Sequence, residues 1–146
     1  PGAQVFPDRP KVHTRPMSTT LGALSLLVHG YDEAIAWYTA ALGFCVWEDS
    51  PREAGKRWVM LGPPSGQGTG LLMARAGNAE QSATVGRQGG GRVWLFLHTA
   101  DFDADHARMV ALGVRFMEAP RREPYGSVAV FEDLYGNRWD LLQAPS

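Results

Sequence analysis

The sequence predicts an α+β fold: two tandem βαβββ modules related by a pseudo-twofold axis and forming a cleft. Three observations predict it. First, one passage is written twice. Residues 24–44 and 95–114 each run from an apolar stretch through an aromatic-Asp pair and a helical segment to a Leu-Gly-apolar ending. The pairs Tyr31-Asp32 and Phe102-Asp103 lie 71 residues apart, and Leu42-Gly43 and Leu112-Gly113 lie 70 apart, so the copies differ by one residue within the helix. Second, the repeat occurs only twice, which marks a duplicated module; a solenoid needs three or more stacked units. Third, each copy is followed by short apolar runs separated by Gly, Pro, Asn and Asp, the punctuation of strands and turns.

Each element follows from local chemistry. Residues 21–28 form an apolar run bounded by Gly30, short enough for a buried strand. Asp32 is expected to cap the first helix, its carboxylate accepting from the free N–H groups of the first turn. Ala34, Trp37, Tyr38, Ala41 and Leu42 recur at helical spacing, and Gly43 stands where a left-handed C-cap is needed. Strands are expected at residues 44–49, 57–61 and 70–74, with a turn at 62–66. In the second copy the strand is 93–98, Asp103 caps the helix and Gly113 ends it. Further strands follow at 114–118, 127–132 and 138–142, the last two joined by a tight turn at 133–137. Residues 1–20 read as a mobile arm, with a native start at Met17; the rival reading docks the arm on a neighbouring subunit. The first module is then residues 21–75, a Gly-rich linker 76–91, and the second module 92–146, in one compact domain overall. Gly89-Gly90-Gly91 is no phosphate loop, because no Gly-Lys-Ser/Thr ending or helix follows it.

Composition excludes several function classes. The 146 residues hold 45% hydrophobic and 20% charged positions, which suffices for one well-formed core. A net charge of −1 provides no basic field for nucleic acid. No stretch has the length and apolarity of a membrane span. The lone Cys45 provides neither a disulfide nor a zinc framework. These features suit a cytoplasmic protein.

The segment Leu26-Leu27-Val28-His29-Gly30-Tyr31-Asp32-Glu33-Ala34-Ile35-Ala36-Trp37-Tyr38, with Leu42-Gly43-Phe44, resembles the vicinal oxygen chelate superfamily. So does the ending Phe131-Glu132-Asp133-Leu134-Tyr135-Gly136-Asn137-Arg138-Trp139-Asp140-Leu141. That group contains glyoxalase I, extradiol dioxygenases, and bleomycin- and fosfomycin-resistance proteins. The resemblance covers residues 21–143 and is specific for fold and weak for activity, since this fold hosts many chemistries. It implies a cleft and, commonly, a homodimer. Metal-dependent members hold a divalent ion with one residue from the first strand and one from the last strand of each module. Carried over, these positions are Ala23, Met73, Trp94 and Asp140. Ala and Trp offer no lone pair, Met is too soft for the hard ions used, and Asp140 stands alone where three or four donors are needed. Four residues of strand, about 13 Å at roughly 3.3 Å each, separate His98 from the Trp94 level, so His98 does not replace it. A register shift of two would bring Ser25 or Phe96 to these levels and restore no site. The expected cofactor is therefore none, with a divalent metal as the alternative.

The inward positions expected from strand alternation include Ser25, Met73, Trp94, Phe96, His98, Arg138 and Asp140. Such a pocket is apolar and aromatic with a few polar groups, the makeup of a small-molecule site. His98 is the candidate base, or else a strand-end histidine bonded to a loop carbonyl. Asp140 needs a partner, which is either Arg138 or the ligand. Cys45 is expected to be a small buried hydrophobe, Trp37 and Tyr38 to pack helix on sheet, and His106 to be solvated. The segment 121–126 reads as a charged turn, with Arg121 or Tyr125 touching an anionic ligand as the rival reading. Two function classes remain. One is a glyoxalase- or bleomycin-resistance-like protein binding a small organic molecule without a metal. The other is a lyase, isomerase or dioxygenase of the same superfamily, metal-dependent or cofactor-free.

Overall fold

The computed structural model describes residues 18–146. The arm expected at residues 1–20 therefore falls, up to residue 17, outside the described residues. The first module comprises β1 (Ala23–Val28), α1 (Tyr31–Leu42), β2 (Cys45–Pro51), β3 (Arg57–Gly62) and β4 (Gly70–Arg75). A short helix, α2 (Ala79–Thr84), follows. The second module comprises β5 (Val93–His98), α3 (Phe102–Ala111), β6 (Arg115–Phe116), β7 (Arg121–Glu123), β8 (Gly126–Glu132) and β9 (Arg138–Gln143). The sheets have the orders β1-β4-β3-β2 and β5-β9-β8-β6, with β7 added beside β8. Each module thus places its first strand parallel to its last and its second strand at the far edge. This shared order is the duplication written in topology, and it makes the two modules tandem βαβββ units.

The helices lie between the sheets. Leu26 and Val28 of β1, Val59 and Leu61 of β3, and Leu71 and Met73 of β4 face α1 in one buried cluster. Phe131, Trp139 and Leu141 from the second sheet, with Phe102 and Met109 of α3, complete that cluster. Residues alternating with these point away from the core. Each sheet therefore has an inner, helix-covered face and an outer face.

Local predictions fail where the chain has a better partner. Gly30 is the N-cap of α1 and no side chain caps it; Asp32 bonds Arg57 at 2.8 Å instead. In the second module Asp101, not Asp103, caps α3 by accepting from Ala104 N at 3.1 Å. Gly43 does adopt the left-handed conformation at φ 70°, ψ 20°. The Gly-rich linker contains α2, capped by Asn78, and it braces β1: Gln88 Oε1 accepts from Leu27 N, and its Nε2 donates to Ser25 O. Those two bonds satisfy the free edge of β1 as another strand would. The strand expected at 114–118 is only Arg115–Phe116, and the charged turn carries β7. Cys45 is exposed, not buried. His106 is not simply solvated, because its ring stacks on Phe102 and meets Phe116 at a 4.4 Å centroid separation.

One side chain ties the modules together. Asp133, in the β8–β9 turn, is 6% exposed. Its Oδ1 accepts from the backbone N–H of Tyr135, Gly136 and Asn137, closing the turn. Its Oδ2 accepts from Tyr38 of α1 at 2.7 Å, Asn137 Nδ2 at 3.0 Å and Trp139 Nε1 at 3.0 Å. Burial, together with this carboxylate, holds the Tyr38 phenol well above its ordinary range.

Candidate functional site

A cleft of about 320 Å³ runs between the modules. The first module contributes Leu24, Phe44, Leu61 and Leu71, and the second contributes Leu95, Phe96, Leu97, His98 and Trp139. Because β5 is an edge strand, residues from both of its faces reach the opening. Phe96 is 59% exposed, a large apolar surface left open to a ligand. Of the residues expected inward, Phe96 and His98 stand here. Thr69 adds a hydroxyl to the lining, and the Trp139 Nε1 in it is already committed to Asp133. Among the described residues, no carboxylate or second titratable group lines the cleft beside His98.

Asp140 lies next to Phe96 in register, on the outer face of the second sheet. Its Oδ1 is enclosed and meets no hydrogen-bond donor among the described residues. Burial raises its pKa above the ordinary carboxylate value; Arg121 opposes the shift and Glu118 adds to it. Arg138 is not its partner. That guanidinium turns to Gly91 O at 3.3 Å, in a separate Gly-rich hollow. Arg121, whose charge opposes the shift, is itself held by Glu118 at 2.6 Å and Glu123 at 2.8 Å. Arg121 therefore belongs to an ion-paired network and is not a free anion receptor.

The raised pKa has a consequence for stability. The folded state keeps the Asp140 proton to higher pH than the unfolded chain does, so stability falls as pH rises through that window. The penalty is absent below the unfolded value and complete above the folded one. Asp140→Asn is expected to gain stability relative to the parent between pH 4 and pH 7. Urea titrations at the two pH values check this, and a constant difference defeats it.

The positions where a family metal would sit do not fit one. Ala23 has no donor. Met73 is 1% exposed and pairs in register with Leu26 and Val59 on the inner face, so it belongs to the core and not to the pocket. Leu72, beside Ser25, takes the outer position at that level and is no ligand either. Trp94 sits at a bulge, where the β5–β9 register shifts between Val93 and Leu95. The extra residue breaks alternation, and the indole packs against the buried core instead of joining Phe96. Ser25 is exposed on the outer face of β1, outside the cleft lining. Among the described residues, no three His, Cys, Asp or Glu side chains come together as a metal-holding group.

Sequence reasoning missed the outer face of the first sheet. Trp58 and Met60 alternate with the buried Val59 and Leu61, and that alternation was the available signal. Trp47 is the residue skipped at a second bulge, between Val46 and Glu48, so no alternation rule placed it. Its ring lies across Gly62 and Gly70, where an added Cβ would sit 2.2 Å and 2.7 Å from ring carbons. Its Nε1 donates to Pro63 O at 3.0 Å. Glycines in adjacent strands thus make the bed for an indole.

Among the described residues, no helix is long and apolar enough to cross a membrane. Over 128 residues the chain is 49% identical to an uncharacterised protein of Shewanella frigidimarina, covering 87% of this chain and 95% of that one. Its backbone is similar to that of UcmS2, with a TM-score of 0.74 and 28% identity over 86% of this chain and 98% of that one. It is also similar to TnmS3, an antibiotic binding protein from Streptomyces sp. CB03234: TM-score 0.72, 29% identity, 89% and 100% covered. The model of the Glyoxalase/Bleomycin resistance protein/Dioxygenase superfamily matches residues 20–141. Together with the paired βαβββ sheets around an inter-module cleft, that match over most of the chain makes it a member of this superfamily.

Proposed function

We propose that this protein binds a small, largely apolar organic molecule in the inter-module cleft, holds it without a resident metal, and does not transform it. The observation that carries the reading is the cleft's makeup: exposed Phe96 and a ring of leucines, with His98 the lone titratable side chain among the described residues. Apolar walls with few polar groups favour burial of a ligand and offer no acid–base pair to act on it. Phe96 supplies contact area, while His98 and Thr69 supply orientation. The antibiotic-binding description of TnmS3 supports the same class of ligand. The enzyme alternative of the superfamily needs a donor set or a base with a partner. Ala23, Leu72 and the core-packed Trp94 provide neither.

The reading includes a homodimer, since Val46, Met117 and Tyr125 also expose apolar surface on the strands and adjoining turns. It places the protein in the cytoplasm, a reducing compartment where the exposed thiol of Cys45 is tolerated. Native mass spectrometry after expression in metal-rich medium checks metal and assembly at once. The expected spectrum is a dimer with no stoichiometric Ni²⁺, Zn²⁺, Fe²⁺ or Mn²⁺. One ion per chain, lost in Asp140→Ala, would overturn the metal-free reading and restore the enzyme class.

A further inference from the structure

The outer face of the first sheet carries a second hollow that shares no lining residue with the cleft. It measures about 540 Å³, within the range of small-molecule sites. Its floor is Leu27, Leu72 and Ala74, neighbours on the parallel pair β1 and β4. Trp58, 39% exposed, forms one wall. Four cationic side chains, Arg52, Lys56, Arg57 and Arg75, close around this apolar floor, and among the described residues no Asp or Glu lines it.

These cations are not equally neutralised. Arg57 is bonded to Asp49 at 2.6 Å and to Asp32 at 2.8 Å. Arg52 lies 3.8 Å from Glu48, a loose and exposed pair. No carboxylate comes within ion-pairing distance of Lys56 or Arg75 among the described residues. The guanidiniums of Arg75 and Arg57 each stand 5.2 Å from the centre of the Tyr31 ring. Two cations gathered on one buried ring, one of them without an anion, leave a positive field over an apolar floor. A carboxylate or comparable anion placed between Arg75 and Lys56 relieves it, and the guanidinium fork suits such a group. Trp58 offers an aromatic face to a flat body attached to that anion. From this juxtaposition we propose that the hollow beside Trp58 is a binding site for a flat aromatic molecule carrying an anionic group, read by Arg75 and Lys56. This site goes beyond the cleft reading and stands or falls separately from it.

The test is calorimetric titration of the full chain with 2-naphthoate and with the uncharged 2-naphthamide. Naphthoate is expected to bind at least tenfold more tightly, with the advantage shrinking as salt is raised. Arg75→Gln and Lys56→Gln are each expected to weaken naphthoate severalfold and leave naphthamide unchanged. Trp58→Ala should weaken both probes; thermal unfolding confirms that each variant is folded. Equal affinity for the two probes in the parent overturns the proposal. So does unchanged naphthoate binding in Arg75→Gln and Lys56→Gln. If Phe96→Ala alone abolishes naphthoate binding, the anion sits in the cleft: this proposal fails and the cleft reading stands. If Arg75→Gln and Lys56→Gln change sedimentation and not naphthoate affinity, the hollow is covered by a second copy and the proposal also fails.

Discussion

Asp133→Ala is expected to lower stability by roughly 3 kcal/mol or more, several times the effect of an ordinary surface substitution. The carboxylate is buried, forms no ion pair among the described residues, and is held by six donors. Alanine removes the acceptor and leaves those donors behind. The three backbone N–H groups lose the bonds that shape the turn, while Tyr38 OH and Trp139 Nε1 are stranded in the core. Each unsatisfied buried donor costs about 1–3 kcal/mol, and water reaching the turn offsets part of this. Native domains are stable by about 5–15 kcal/mol, so the loss is a large share of the total. Thermal unfolding should show a midpoint lower by roughly 10 °C. Tyr38→Phe, which removes only the link from α1, should cost about 1–2 kcal/mol. A double-mutant cycle separates the two contributions. A midpoint unchanged in Asp133→Ala would mean that the turn and the inter-module tie are not needed to hold the modules together.

That tie also shows what the sequence made legible and what it did not. The duplication was readable because identical physical demands recur: an apolar strand, a helix ended by Gly43 or Gly113, then strands. The turn 133–137 was readable from its Asp, Gly and Asn. The partners of the Asp133 carboxylate were not, because Tyr38 lies 95 residues away and only folding brings it there. Helix starts were misplaced by the same kind of long-range competition, as Asp32 is drawn to Arg57 on β3. Met73 was misplaced by a single step of alternation, which exchanges core and outer face for every residue on a strand. Phe96 and His98 do border the cleft, but so do Leu95 and Leu97, because both faces of an edge strand reach the opening and alternation alone does not choose between them.

The second large effect separates Trp94 from Phe96, two residues that strict alternation puts on one face. Trp94→Ala is expected to destabilise the fold by about 2 kcal/mol and to leave ligand affinity in the cleft unchanged. The bulge turns its indole onto the core, beneath Gly89, where an added Cβ would lie 2.9 Å from the Trp94 Cβ. Removing a partly buried ring forfeits apolar contact and leaves a void that the rigid strand does not fill. Phe96→Ala is expected to do the reverse. Its ring is mostly exposed in the free protein, so deletion should shift stability by no more than about 0.5 kcal/mol. The same ring is buried when a ligand fills the cleft, so affinity should fall by about 1–3 kcal/mol. A calorimetric screen of uncharged aromatic compounds supplies the ligand, and urea titrations supply the stabilities. Loss of affinity in Trp94→Ala with stability intact would place the indole in the cleft and remove the bulge from the account. Equal affinity in Phe96→Ala and the parent would show that the cleft is not where the ligand sits. The two variants thus test, on neighbouring residues of one strand, whether a single inserted residue divides folding from binding.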